Sequence, residues 1–152
     1  MRKFSGFLAV ILALAFIVGG VEALTFGDMS NPKGDKSGKA GPVDKTPVEK
    51  AKGPDSYTVA EIYKKSAELD KKKVVVRGRV TKVSAGIMGK NWVHLQDGSG
   101  DAEKRTNDLV ATSQDLPAVG DVVTARGTLY KDKDFGSGYK YAAIVEEATL
   151  KP

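Results

Sequence analysis

The stretch Asn91-Trp92-Val93-His94-Leu95-Gln96-Asp97-Gly98-Ser99-Gly100 is the most informative segment of this 152-residue chain. Successive side chains of a strand point to opposite faces, so Val93 and Leu95 share one face while Trp92 and His94 share the other. Asp97 and Gly98 are residue types that tight turns require. The stretch therefore predicts a short strand with an aliphatic inner face, an aromatic and polar outer face, and a turn at its end.

Four further runs have strand character, because β-branched and aromatic residues alternate with polar ones. Two of them carry a glycine in mid-strand, Gly78 and Gly127, where glycine usually marks a bend or bulge. The alternation predicts that Val74, Val76 and Val80 share one face of the first run. It predicts that Val123, Ala125 and Leu129 share one face of the run from Asp121, and that Ala142 and Ile144 of the last run point inward. The four runs are Lys73 to Val83, Leu109 to Ser113, Asp121 to Tyr130, and Tyr139 to about Val145.

One helix is predicted before the first strand. Thr58 and Glu61 have the spacing of a capping box, in which each residue bonds a free backbone N–H of the first turn. An apolar stripe at three- and four-residue intervals follows, formed by Val59, Ile62, Tyr63, Ser66 and Leu69. We expect this helix to pack on the sheet and to have a structural role.

Three segments together carry a family resemblance: Val74-Val75-Val76-Arg77-Gly78-Arg79-Val80, the stretch Trp92 to Gly100, and Val119-Gly120-Asp121-Val122-Val123-Thr124-Ala125-Arg126-Gly127. The chain resembles the oligonucleotide/oligosaccharide-binding (OB) fold, and in particular exported bacterial OB domains of the nucleic-acid-binding type. The resemblance implies an all-β fold, a five-stranded antiparallel barrel with one N-terminal flanking helix. The likeness covers about the C-terminal two thirds of the chain.

The resemblance also implies a binding surface over strands two and three, bordered by the loops between strands one and two and between strands four and five. Aromatic side chains there could stack on bases, and basic ones could meet phosphates, which is what binding of single-stranded nucleic acid needs. The same residue types also suit a strand surface without a ligand. The predicted ligand-binding residues are Arg77, Arg79, Met88, Lys90, Asn91, Trp92, His94, Arg126, Phe135, Tyr139 and Tyr141.

The N-terminal third has the composition of an export signal followed by a tether. Arg2 and Lys3 precede an apolar run, Phe7 to Val18, that is shorter than the roughly twenty residues of a membrane span. Val21-Glu22-Ala23 then resembles a signal-peptidase site. We predict a signal peptide over residues 1–23, a flexible Gly/Pro/Lys linker over 24–56, an OB-fold domain over 57–152, and a periplasmic or secreted location.

Residue inventory argues against several classes of function. The chain has no cysteine and one histidine, which excludes a cysteine nucleophile, a zinc-thiolate site and covalent c-type haem attachment. No nucleophile, base and stabiliser are evident together, so we expect no enzymatic activity, no cofactor and no metal site. The predicted domain carries sixteen Lys and Arg against thirteen Asp and Glu, a net charge of +3. That mild excess is compatible with weak binding of nucleic acid, an acidic glycan or an acidic protein.

An alternative is a periplasmic protein- or glycan-binding adaptor, for example in the assembly of exported redox proteins. The periplasmic haem chaperones of cytochrome c maturation also place an OB barrel behind an N-terminal membrane segment. They carry a haem-attaching histidine, with a following tyrosine, after the barrel, whereas this chain ends in Glu146-Glu147-Ala148-Thr149-Leu150-Lys151-Pro152. Haem carriage is therefore not expected, but protein binding needs no such residue.

Overall fold

The computed structural model describes residues 44–152, so the predicted signal peptide and the first part of the predicted linker lie outside the described residues. Two short helices precede five strands, and strands make up most of the regular structure. The helices are α1, Val59–Lys64, and α2, Ser66–Leu69; the strands are β1, Lys73–Ile87, β2, Lys90–Gln96, β3, Leu109–Ser113, β4, Val122–Asp134, and β5, Lys140–Lys151.

The five strands form one sheet that closes on itself in the order β1-β2-β3-β5-β4. Four of the five pairings are antiparallel, but β3 and β5 are parallel. The prediction of an antiparallel barrel is therefore wrong for this pair. The reason is topological: β4 pairs with β1 rather than with β3, so β5, which runs back along β4, meets β3 running in the same direction.

The predicted faces of β1, β2 and β4 are confirmed. Val93 and Leu95 of β2 are fully buried inside, and Trp92 belongs to a separate cluster outside the barrel core. The other strands contribute aliphatic side chains to the same core, as the alternation predicted. These are Val74, Val76 and Val80 from β1 and Val123, Ala125 and Leu129 from β4.

The predicted facing of β5 is wrong. Ala142 is exposed and Ile144 packs beside Trp92, while Ala143 and Val145 are the residues that enter the core. A β-bulge at Glu147, which has a φ of 52°, adds one residue to β5 between its pairings with Thr128 and Arg126 of β4. One added residue exchanges the two faces of a strand, which brings Ala148 and Leu150 to the core side after the bulge. The predicted run ended at about Val145, before the bulge, and its residues 142–145 are all apolar, so alternation could not decide which of them face inward.

The capping box at Thr58 and Glu61 is confirmed, with both reciprocal hydrogen bonds present. The predicted single helix is, however, divided at Lys65, whose backbone leaves the helical region (φ −104°, ψ 13°). Val59, Ile62 and Leu69 still pack into the barrel core, as their spacing predicted. No helix within residues 44–152 has the length and apolar character needed to cross a membrane.

The turn after β2 ties the helix to the barrel. The buried Asp97 carboxylate accepts hydrogen bonds from the backbone N–H of Val59 (2.9 Å) and of Ser99 (2.9 Å). The Ser99 hydroxyl accepts another from the N–H of Ala60 (2.9 Å). The bonds from Val59 and Ala60 satisfy N–H groups of the first helical turn that have no partner within the helix. The Asp97-Gly98-Ser99 motif is thus a structural joint.

Residues 44–56, which composition placed in the linker, are bonded to the barrel at several points. The N–H of Val48 donates to the carbonyl of Asp97 (3.0 Å), and the N–H of Val75 donates to the carbonyl of Asp55 (2.7 Å). Ser56 is buried and forms a parallel bridge with Val75. Ordered contacts therefore begin before Tyr57, the predicted start of the domain.

Candidate ligand-binding surface

Trp92 lies on the outer face of β2 but is covered. Only 3% of the residue is exposed, and its Nε1–H donates to the carbonyl of Ile87 (2.8 Å). Three rings surround it: Phe135 edge-on at 5.0 Å, Tyr141 stacked at 5.7 Å and Tyr139 tilted at 6.2 Å between ring centroids. The predicted position outside the barrel is observed, yet the indole cannot itself stack on a ligand in this structure.

We call these four residues, Trp92, Phe135, Tyr139 and Tyr141, the aromatic face. Its outermost member is Tyr139, which is 40% exposed, and Tyr141 is half-buried. Burial raises the pKa of the Tyr141 phenol above its ordinary value, with nearby Tyr139 adding to the effect. Both rings therefore present partly accessible aromatic surface, and Trp92 supports them from below.

Two lysines border the aromatic face and share one buried carboxylate. Lys90 Nζ lies 3.4 Å from Oε1 of Glu146, and Lys133 Nζ lies 3.2 Å from Oε2 of the same residue. Lys133 also sits over the Tyr130 ring, 4.6 Å from its centroid. Together, Lys90, Lys133 and Glu146 carry a net charge of +1, so the border beside the rings is basic.

Two predicted ligand-binding residues, Met88 and Asn91, lie at the turn between β1 and β2. Only Met88 is accessible, whereas the Asn91 side chain has a structural role. Met88 is 52% exposed at a φ of 54° and follows Ile87, whose carbonyl accepts from Trp92. The Asn91 side chain is used internally: its Nδ2 donates to the carbonyls of Gln114 (3.3 Å) and Asp115 (3.1 Å), and its Oδ1 accepts from the N–H of Gly86. Asn91 thus holds the turn in place.

His94 is oriented by a carboxylate that the sequence did not reveal. Its Nδ1 lies 2.6 Å from Oδ2 of Asp108, and Gln96 Nε2 donates to Oδ1 of Asp108 (3.0 Å). Burial acts to raise the pKa of Asp108, but its hydrogen bonds with His94 and Gln96 outweigh burial and leave the pKa below the ordinary value. Asp108 is therefore ionised at neutral pH and accepts from both neighbours.

Replacing Asp108 with asparagine is expected to lower the free energy of unfolding at neutral pH by about 1–2 kcal/mol, because the two donors then meet a neutral amide. A carboxyl whose pKa is lower in the folded state stabilises the fold above the ordinary Asp pKa of about 3.9. That contribution is lost as the pH falls through the folded value. Urea unfolding of both proteins at neutral pH and below the folded pKa checks this expectation.

The exposed loop carboxylate Glu103 supplies the control for Asp108. The variant Glu103→Gln should leave the free energy of unfolding within about 0.5 kcal/mol of the parent at both pH values. If the difference between Asp108→Asn and the parent is equally large at low pH, the stabilisation does not come from the ionised carboxylate.

The three predicted arginines do not join the aromatic face. Arg77 donates to the carbonyl of Glu49 (3.3 Å) and, with Arg126, lines a small cleft against residues 49–52. Arg79 lies opposite Gln96 and forms an ion pair with Asp44 (3.3 Å). The structure thus separates the predicted site into an aromatic face with two lysines, a His94 cluster, and arginines that line clefts against the segment before the helices.

Sequence reasoning missed three carboxylates that organise this surface: Asp44, Asp108 and Glu146. Asp44 lay in a segment with linker composition, and Asp108 precedes β3 without any motif. Glu146 lies just after the predicted end of the last strand run, again without any motif. Within residues 44–152, no three His, Cys, Asp or Glu side chains are grouped so that they could hold a metal ion.

Comparisons of this chain with protein-family models, with curated proteins and with solved structures find no match.

Proposed function

We propose that this protein is an exported, non-enzymatic OB-fold binding module that binds single-stranded nucleic acid weakly and with little sequence preference. The strand order and the five-stranded closed sheet support the OB assignment, since that fold is a five-stranded Greek-key barrel. The basic N-terminus and apolar run, Phe7 to Val18, support export. An extracellular matrix is an environment where an exported protein meets nucleic acid.

The observation that carries the proposal is the convergence of three elements on Trp92. The β1–β2 turn, the outer face of β2 and the β4–β5 turn meet there, which is where OB folds bind oligonucleotides. Stacking on an aromatic ring tolerates any base, because every base has a π-face. In this proposal Tyr139 and Tyr141 stack on bases, and Trp92 supports them.

The neighbouring lysines fit the phosphate backbone. Lys90 and Lys133 lie at the border of the aromatic face and share the single carboxylate of Glu146. Contacts with phosphates release counterions from the nucleic acid, so the affinity should fall steeply as salt rises. The small number of lysines agrees with weak binding.

Fluorescence anisotropy of labelled single-stranded DNA, titrated with the purified protein at low and moderate salt, tests the proposal. We expect binding at low salt and a marked loss at moderate salt. Tyr139→Ala should weaken binding by about 1 kcal/mol or more, which is the lower end for one base–aromatic stack. The affinity is measured at one salt concentration for all variants.

Leu116→Ala is the matched control, because Leu116 is a 64% exposed apolar residue outside the aromatic face. It should leave the affinity unchanged. Absence of binding at low salt, or equal affinities of the parent and Tyr139→Ala, would contradict the proposed function.

A further inference from the structure

A polar cleft of about 470 Å³ lies away from the aromatic face, between residues 44–46, the outer faces of β1 and β2, and the loop that follows β2. Its volume falls within the roughly 300–1,000 Å³ of ligand sites. The hydroxyl and amide side chains among the described residues that line it are Thr46, Thr81, Gln96, Ser99 and Asn107, and the charged ones are Asp44, Lys45 and Arg79. None of the described lining residues is aromatic.

Arg79 and Lys45 are the cations in the wall of this cleft, and the hydrogen-bonding capacity of Arg79 is only partly used. The Arg79 side chain is 17% exposed, and its Nη1 donates to the carbonyl of Gly120 (3.2 Å). Its Nη2 lies 3.3 Å from Oδ2 of Asp44. The Nε atom is buried and has no hydrogen-bond partner among residues 44–152.

Nε and Nη2 form one edge of the guanidinium, with parallel N–H bonds that match the two oxygens of a carboxylate. Asp44 engages only one of the two. A buried donor without a partner destabilises the state that contains it, so a group that bonds both nitrogens would be favoured over the present contact.

The ion pair between Asp44 and Arg79 can be broken at little cost in stability. The Asp44 side chain is 60% exposed, and an exposed ion pair contributes little to stability. Hydrogen bonds from the Thr46 hydroxyl (2.6 Å) and N–H (2.9 Å), with a smaller contribution from Arg79, lower the pKa of Asp44 and keep it ionised. Among residues 44–152, the first backbone bond from this segment to the barrel is made by Val48, and Asp44 and Thr46 precede that anchor.

We propose that this cleft binds a small polar carboxylate, such as a sugar acid, through a two-point contact with Nε and Nη2 of Arg79. Thr81, Gln96 and Asn107 supply hydrogen-bonding groups for the hydroxyls of the same ligand. Asp44 occupies Arg79 in the free protein and is displaced when the ligand enters. This site is separate from the aromatic face and does not depend on the function proposed above.

Nuclear magnetic resonance of the full chain tests the site directly, because the Arg79 Nε–H gives its own signal. Titration with glucuronate should shift that signal saturably, whereas neutral glucose should not. Asp44→Asn removes the internal competitor and should tighten glucuronate binding about three- to fivefold, as expected for loss of an exposed ion pair. Arg79→Gln should abolish binding.

Arg126→Gln is the matched control, since Arg126 is an exposed arginine of β4 outside this cleft, and it should bind glucuronate like the parent protein. Asp44→Asn keeps the test decisive even if Arg79→Gln does not fold, because Asp44 is exposed. The proposal is overturned if Asp44→Asn shows no saturable shift with glucuronate, if glucose gives an equal shift, or if inorganic phosphate binds Arg79 more tightly than glucuronate.

Discussion

Replacing Trp92 with alanine is expected to lower the free energy of unfolding by about 3–5 kcal/mol, the range for a buried tryptophan truncated in a packed cluster. The indole is 3% exposed and contacts Phe135, Tyr139 and Tyr141. Its removal opens a cavity beneath those rings and leaves the carbonyl of Ile87 without its donor. Binding at the aromatic face should be lost too, through collapse of the support under the tyrosines.

Urea unfolding followed by far-ultraviolet circular dichroism measures this effect, because Trp92 is the only tryptophan and its own fluorescence cannot report on the variant. Trp92→Phe is the matched control: it keeps an aromatic ring and loses the Nε1–H bond. We expect it to cost about 1–2 kcal/mol, much less than the alanine variant. A cost below about 1 kcal/mol for Trp92→Ala would mean that the indole is not packed as the structure shows.

Gly127→Ala is expected to lower the free energy of unfolding by about 3 kcal/mol or more, at the upper end of overpacking effects. A Cβ at Gly127 would lie 2.7 Å from the backbone oxygen of Glu146 and 2.7 Å from Cγ1 of Val145. Gly127 stands opposite the β5 bulge, where two residues face one. The Glu146 oxygen belongs to the backbone, so relief requires a shift of the β4–β5 pairing.

Gly78→Ala is the comparison, since Gly78 is the other mid-strand glycine. A Cβ there would lie 3.2 Å from Cβ of Leu95 and 3.3 Å from the Gln96 oxygen, which small adjustments can relieve. The alanine also reduces the freedom of the unfolded chain, an opposing gain. We expect a change of about 1 kcal/mol or less in urea unfolding. Equal destabilisation by the two variants would show that the bulge does not make Gly127 special.

Local patterns in the sequence predicted those parts of the fold that depend on near neighbours. The alternation in β2 and β4 identified the core residues Val93, Leu95 and Leu129, and the Thr58–Glu61 spacing identified the helix start. The alternation failed in β5, because residues 142–145 are all apolar and the pattern could not decide which of them face inward. Glutamate at a positive φ has no residue signature, unlike glycine, so the bulge at Glu147 was also invisible in the sequence.

The candidate site was predictable only as a set of residue types. The sequence placed Trp92 and His94 on one outer face, and the structure agrees. It could not show that Tyr141, about fifty positions further along the chain, stacks on that indole, or that Asp108 orients His94. Such contacts depend on how distant strands pair, and the local hydrophobic pattern does not predict that pairing.

Taken alone, the amino-acid sequence predicted which side chains of β1, β2 and β4 enter the core, where the helix begins and where β2 turns, since alternation, capping and turn chemistry act over a few residues. The tertiary structure decided which outward residues remain accessible. Trp92 became a buried support because the β4–β5 turn covers it, and Tyr139 became the exposed ring. The strand sets the direction in which a side chain points, but the exposure of that side chain depends on what the rest of the chain packs against it.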